Sequence, residues 1–137
     1  MRNILLSLLQ HPLCALAGRV LLTLPFWANG LTRLTNLDAG AVEMEHFGLL
    51  PGMLFNALVI VSNLLGAGMI IARRWTWLGA GILAVFTFST ILIVHRFWTL
   101  NGAAGTQAMH VAQEHLGIIG GLLLAAILAA RPKREKP

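Results

Sequence analysis

The side chains that could do chemistry in this 137-residue chain are a few polar and ionisable groups set within long apolar stretches. In the last stretch, His110 and Glu114 are four residues apart, a spacing that places both on one face of a helix. An imidazole and a carboxylate held together in this way can transfer protons. We therefore predict that His110 and Glu114 handle protons, although the chain need not be an enzyme by itself.

Six further polar residues lie toward the predicted outer ends of the apolar stretches, and we predict that they bind a ligand beside this pair. They are Asn29, Arg33, Asn63, His95, Arg96 and His115. Together the eight residues would form a polar pocket that opens to the outer side of a membrane. The alternative is that these groups only pair with one another and so fix how the helices pack.

The helix face that carries Glu114 is expected to point toward the interior of the bundle. Gln107, Gly117 and Gly121 share that face, and a Gly-x-x-x-Gly spacing lets a neighbouring helix approach closely. A carboxylate without a partner inside a membrane costs on the order of 2.5–3.5 kcal/mol. We therefore expect a basic partner for Glu114, with Arg33 and Arg96 as the candidates.

The remaining ligand-type residues do not predict a metal site. His95 could approach His110 or His115 from a neighbouring helix, but histidines at helix ends are more typical of a polar interface, so we disfavour a haem. The segment that contains Glu43, Glu45 and His46 is more typical of a solvated surface. Cys14 is the single cysteine, which excludes an internal disulfide and a Cys-x-x-Cys redox pair.

The elements that must position these groups are four apolar spans, predicted at 12–34, 52–72, 75–94 and 107–130. Each has about the 20 residues needed to cross a bilayer core of roughly 30 Å. With 57% hydrophobic and 11% charged residues, the chain could not cover a water-exposed surface. We predict an all-α integral membrane four-helix bundle that forms one domain over residues 1–137, with the lipid bilayer as its surroundings.

The basic residues indicate how the bundle is oriented. They lie at the ends of spans rather than along a polar stripe, so the net charge of +5 does not indicate nucleic-acid binding. Arg2, the Arg73–Arg74 turn and the basic tail 131–137 fall on one side. The positive-inside rule then predicts a multi-pass protein of the inner (plasma) membrane with both termini in the cytoplasm. Residues 3–11 are expected to lie along the interface; a cleaved signal peptide is the alternative.

The connections between spans are predicted from their composition. The acidic segment from Asp38 to Pro51 predicts a short helix on the outer surface between the first two spans. A run of small residues at 101–106 predicts a loop before the fourth span. The tryptophans near residue 75 and the Phe97-Trp98 pair are typical of the two membrane interfaces.

Several short motifs in this order resemble the DoxX-like family of small four-span membrane proteins. In the first span, Gly18-Arg19 is followed by an apolar run to Asn29-Gly30-Leu31-Thr32-Arg33-Leu34. Gly48-Leu49-Leu50-Pro51, the stretch from Gly66 to Arg73, His95-Arg96-Phe97-Trp98 and the segment from His115 to Leu123 follow. The resemblance covers about Gly18 to Ala130. In two places the chain departs from the family pattern: Asn63 stands where the family often has Glu, and Glu114-His115 where it often has Lys-Asn.

The resemblance implies an inner-membrane protein linked to redox chemistry, because the founding members are a small subunit of a thiosulfate:quinone oxidoreductase. A quinone is then the candidate ligand, and a redox enzyme is the candidate partner. We predict an accessory or anchor subunit of such a redox system, linked either to a quinone or to a thiol or thiosulfate. Two other functions stay open: a structural or assembly protein, and, less favoured, a small transporter. Homo-oligomers remain compatible with the small-residue faces of the spans.

Overall fold

The structure, a computed structural model, describes residues 2–131, and it gives the burial of side chains from residue 6 to residue 131. Within this range the chain is helical and contains no strand, which confirms the all-α prediction. The helices are α1 (Arg2–Leu9), α2 (Pro12–Leu22), α3 (Leu24–Thr35), α4 (Leu37–His46), α5 (Gly52–Ile71), α6 (Thr76–Ile93) and α7 (Gly102–Ala130), with a 3-10 turn at Phe97–Thr99.

Three of these helices are long and apolar enough to cross a membrane. They are α5, α6 and α7, and the bent pair of α2 and α3 makes a fourth span if it is counted as one. Large apolar side chains cover the outside of the helices, among them Leu58, Val61, Leu65, Val85, Leu124 and Leu128, each more than half exposed. A surface of this kind requires lipid around it, so the chain is a multi-pass membrane protein.

The first span differs from the prediction, because it is not one continuous helix. It breaks at Thr23, where α2 and α3 meet at an angle of 54°. Pro25 lies in the first turn of α3 and has no N–H to continue the α2 ladder, so it interrupts the hydrogen bonds at the bend. The buried Thr23 hydroxyl donates to the Arg19 carbonyl (2.7 Å), and the Trp27 indole N–H donates to the Val20 carbonyl (3.2 Å).

The core of the bundle lies where α3, α5, α6 and α7 meet. Its buried members are Phe26, Ala67, Ile70, Ala80, Leu83 and Leu122. Helices α5 and α6 approach most closely through two glycines. A Cβ added to Gly79 would lie 2.7 Å from the Gly66 carbonyl oxygen, so these backbones are in direct contact. Helix α6 packs in turn against α7, and α3 and α4 pack against the other side of α5.

The fourth long helix begins earlier than predicted. The sequence predicts a loop at 101–106, but α7 begins at Gly102 and continues without a break to Ala130. Asn101 is its extended N-cap residue, and the alanines that follow have the highest helix propensity of any residue. The 3-10 turn at Phe97–Thr99 packs against this extension.

The two ends of the bundle have different connections. At the end called here the α4 end, α4 and the 3-10 turn cover the helices. At the opposite end, called here the basic end, α5 and α6 join through the Arg73–Arg74 turn, and α7 ends at Ala130, next to Arg131. The segment predicted as an outer-surface helix is therefore helical, over Leu37–His46, and it lies at the α4 end.

Helices α4 and α5 end with the same hydrogen-bonded turn. After α4, the Leu49 N–H donates to the Met44 carbonyl, with Gly48 in the left-handed conformation. After α5, the Arg74 N–H donates to the Met69 carbonyl, with Arg73 in the left-handed conformation (φ 57°). Glycine is the usual residue at this position because it has no Cβ. An arginine in this conformation is strained.

Candidate ligand-binding cavity

A cavity of about 1070 Å³ runs along the bundle toward the α4 end. Its wall on α6 extends from Trp77 to Ile93, about 24 Å of helix. The cavity opens to the side as well, since Val85 lines it and is 69% exposed. Most of the lining is apolar, and the polar side chains are Asn29, Arg33, Glu43, Ser62, Ser89, Thr90, His95 and His115. The shape suits an elongated apolar molecule with a polar head.

Arg33 is the centre of a hydrogen-bond network in the cavity wall. Its Nε donates to the Asn29 Oδ1 atom (3.2 Å), its Nη1 to the Asn56 Oδ1 atom (3.1 Å) and its Nη2 to the Glu43 Oε2 atom (2.9 Å). Glu43 also neutralises the charge of Arg33. The Arg33 side chain is 12% exposed and that of Glu43 is 50% exposed, so the carboxylate lies at the entrance of the cavity.

Asn56 connects this network to α4. Its side chain is fully buried, and its Nδ2 donates to the Leu37 carbonyl (3.2 Å) while its oxygen accepts from Arg33. Helix α4 can lie directly on this amide because residue 40 is a glycine. A Cβ at Gly40 would be 2.6 Å from the Asn56 side-chain carbon. The positions of α4 and of the Arg33 guanidinium therefore depend on one buried amide.

Two imidazoles form the other polar part of the cavity. The rings of His95 and His115 meet edge to face, with centroids 5.0 Å apart. The His115 Nδ1 atom lies 2.9 Å from the Val111 carbonyl oxygen, which can only accept. The proton of a neutral His115 is therefore on Nδ1, and its Nε2 remains an acceptor. Neither ring is fully exposed or fully buried.

The structure brings together four of the eight predicted site residues. Asn29, Arg33, His95 and His115 all line the cavity. Asn63 does not line it: the side chain is fully buried, and neither its nitrogen nor its oxygen has a partner among the described residues. Helix α5 presents Asn63 to Gly30 of α3, where a Cβ would be 3.6 Å from the Asn63 Cβ.

The predicted inward face of α7 is wrong except at its last member, Gly121, which lies against Leu22 of α2. His110 and Glu114 are exposed, as are Gln107 and Gly117, whereas Ala108, Ala112 and Leu122 are the buried residues of this helix. Small alanine side chains allow α7 to approach its neighbours on that face, which turns the polar residues outward. The predicted pairing of Glu114 with Arg33 is also wrong, because Arg33 pairs with Glu43. Arg96 is exposed beyond the end of α6 and does not line the cavity.

Two residues of the site were not among those predicted. Glu43 was predicted to lie on a solvated surface, and no role in a site was predicted for Asn56. A signal for Glu43 exists: it is one of three carboxylates, with Asp38 and Glu45, in the segment after the first span, and a short helix there could return one of them toward Arg33. A signal for Asn56 is weaker, since a single asparagine in an apolar span shows only that some polar partner is required.

Comparison with known proteins agrees with the helical pattern. The DoxX family model matches residues 14–96, which is more than half of the chain. The chain belongs to the DoxX family. It is also similar to the inner membrane protein YphA of Escherichia coli (strain K12), with 26% identity over 117 residues, 85% of this chain and 84% of the relative. No solved structure matches the chain.

These matches confirm the family predicted from the sequence motifs, and with the apolar helices they support a multi-pass inner-membrane location. The family match includes the Arg33 network and His95, but it ends before α7. His115 therefore lies outside the residues that the family model matches.

Proposed function

We propose that this DoxX protein is an accessory subunit of a membrane redox system and that it binds an isoprenoid quinone in the cavity described above. One observation carries the proposal: a long, mostly apolar cavity has a few polar groups together near one end. Ligand cavities typically have volumes of about 300–1,000 Å³ and a small number of polar groups that orient the ligand. The redox assignment rests on the family resemblance.

The polar groups favour an uncharged head over an anion. The charge of Arg33 is matched by Glu43, and three of its donors are already used. A second carboxylate would therefore bring unbalanced charge into the cavity. The free Nε2 of His115 can accept a hydrogen bond from a quinol hydroxyl, and His95 lies beside it. A quinol ring satisfies both requirements.

The orientation of the bundle is part of the proposal. Arg73, Arg74 and Arg131 lie at the basic end, which the positive-inside rule assigns to the cytoplasm. The cavity entrance at Glu43 would then face the opposite side of the inner membrane. Arg96, His110 and Glu114 are exposed, and we assign them to contact with the partner enzyme rather than with the quinone.

A pair of glycine substitutions tests the binding proposal. Gly81 lines the cavity and Gly68 does not, and a Cβ at either position meets no atom within 4 Å. Gly81→Leu should place a side chain in the cavity and abolish co-purification of quinone. Gly68→Leu is the matched control, because it makes the same change on a neighbouring helix and should leave the quinone bound.

The measurement is lipid extraction of the purified protein, followed by mass spectrometry of the quinones relative to protein. The wild type must retain quinone above the level in empty detergent micelles. Equal quinone in the Gly81→Leu and Gly68→Leu variants would remove this cavity as the site. Absence of quinone from the wild type, after reconstitution with added quinone, would end the proposal.

A structural role for the same residues is the second candidate. It is favoured by the fact that Asn29, Asn56 and Glu43 occupy three donors of Arg33, as they would in a purely structural connection between helices. In that case, replacement of both Arg33 and Glu43 by methionine should preserve the activity of the whole redox system. Loss of that activity with an intact fold favours the binding role.

A further inference from the structure

A second, smaller cavity lies at the basic end. Its volume is about 160 Å³, and it is lined by Arg73, Trp75, Thr76 and Trp77 together with alanines at the end of α7. A water molecule occupies about 30 Å³ in the liquid, so this space can hold a small polar group but not an acyl chain. The two cavities are lined by different residues, except for Trp77, which lines both.

Thr76 provides the observation that points to a ligand. Thr76 is only 5% exposed, and its hydroxyl has no hydrogen-bond partner among the described residues. A buried hydroxyl without a partner is costly, and nearly all such groups in folded proteins are satisfied by protein or by a bound molecule. Thr76 lines the small cavity, and rotation about its Cα–Cβ bond can turn the hydroxyl, which is covered in this structure, toward a group bound there.

The start of α6 adds free backbone donors at the same place. The helix begins at Thr76, and its N-cap residue, Trp75, makes no side-chain hydrogen bond to the first turn. The first N–H groups of a helix have no partners within the helix, and the helix dipole places partial positive charge there. An anion is the group that such a position stabilises.

The charge at this end is not balanced by the described part of the protein. Arg73, Arg74 and Arg131 are exposed and form no side-chain hydrogen bond or ion pair within residues 2–131, and Arg19 is turned to the Ile71 carbonyl. The sequence after residue 131 adds three further cations, Lys133, Arg134 and Lys136, and one carboxylate, Glu135. A negative ligand would offset this excess.

We propose that the cavity at the basic end binds a phosphate group, supplied by the head of an anionic phospholipid. The Thr76 hydroxyl and the free N–H groups of α6 donate to the phosphate oxygens, and Arg73 balances the charge. Trp75 and Trp77 are both exposed and flank the cavity, as aromatic side chains do where lipid heads meet the hydrocarbon. The site is independent of quinone binding.

Native mass spectrometry tests this site on the whole protein in detergent, with phosphatidylglycerol or phosphatidylcholine added at equal concentration. The wild type should retain phosphatidylglycerol in preference. Thr76→Val keeps the shape of the side chain but removes its hydroxyl. Because a hydrogen bond to a charged group is worth about tenfold or more in binding, this variant and Arg73→Gln should each hold that lipid about tenfold more weakly. Arg96→Gln removes a cation at the other end and should bind as the wild type does.

Two further measurements distinguish a specific phosphate site from general attraction of anionic lipid to the arginines. Thermal unfolding of Thr76→Val should be no lower than that of the wild type, because the lost hydroxyl had no partner in the protein. If Thr76→Val binds phosphatidylglycerol as tightly as the wild type, the site is overturned, and the preference is a property of the arginines alone. Stabilisation by inorganic phosphate without any lipid preference would overturn the lipid assignment and identify the free anion as the ligand.

Discussion

The two ends of this bundle differ in whether their arginine side chains have partners within the protein. At the α4 end, Arg33 donates to three side chains and its charge is matched by Glu43. At the basic end, Arg73, Arg74 and Arg131 are exposed without side-chain partners in the described chain. An internally matched charge fixes helix positions and leaves a neutral cavity, whereas unmatched charge acts on what surrounds the protein. The first arrangement suits a neutral ligand, and the second suits an anionic one.

We expect the largest loss of stability from a substitution of Asn56, because its side chain connects α4 to Arg33. Asn56→Leu leaves an Arg33 donor and the Leu37 carbonyl without their partner. We expect a loss of about 2–3 kcal/mol in the free energy of unfolding, since one of the lost hydrogen bonds involves a charged group. Unfolding by SDS titration from detergent micelles measures it.

Asn63→Leu is the matched control for that change. Asn63 is also fully buried on α5, but its amide has no partner in the described chain. Its replacement by a side chain of similar size should be neutral or stabilising, because no hydrogen bond is lost. If both variants lose the same stability, the α4 end does not depend on its polar network, and the contrast between the two ends fails.

The same two asparagines show where sequence reasoning succeeds and where it stops. Length and hydropathy placed the second and third spans within a residue or two of α5 and α6, because a lipid environment requires about 20 apolar residues in each. Their spacing of seven residues places Asn56 and Asn63 on one face of the helix. It could not show which of them reaches Arg33, since that depends on α4 packing onto α5 at Asn56, where Gly40 of α4 leaves room for the amide.

The errors on α7 have a related cause. A polar stripe in a membrane helix usually points inward, and this rule predicted that Glu114 and His110 would face the cavity. Helix α7 instead packs through its alanines, because small residues allow closer helix contact than a polar stripe does. The prediction for the first span missed the 54° bend for a different reason: a proline in a span can kink it or begin a new helix, and only the packing decides.

Gly48 and Arg73 occupy the same left-handed position after α4 and after α5, and substitutions of the two should have opposite effects on stability. Gly48→Ala should lower the free energy of unfolding by about 1 kcal/mol, because an L residue in this conformation costs roughly 1–2 kcal/mol. Arg73→Gly should act in the opposite direction and stabilise by at most about 1 kcal/mol, since the greater freedom of glycine in the unfolded chain offsets part of the gain.

The lipid preference of the Arg73→Gly variant shows whether the strained backbone at residue 73 is tolerated because the arginine side chain binds lipid. If the phosphate site exists, this variant is more stable in neutral detergent yet retains less phosphatidylglycerol than the wild type. A variant that gains stability and keeps the full lipid preference would show that the Arg73 side chain has no part in the binding. The measurement combines the same SDS titration with native mass spectrometry.

The smallest expected effect concerns the Arg33–Glu43 pair itself. Glu43 is half exposed, and ion pairs with one exposed partner contribute little because water screens the charge and competes for the carboxylate. Glu43→Gln alone should therefore cost less than about 1 kcal/mol. Arg33→Gln should cost more, because it also removes the hydrogen bonds to Asn29 and Asn56. A double-mutant cycle over the two positions should give a coupling below about 1 kcal/mol. A coupling well above that value would mean that the carboxylate is effectively shielded from water, and the cavity entrance would then be closed at Glu43 rather than open to a ligand.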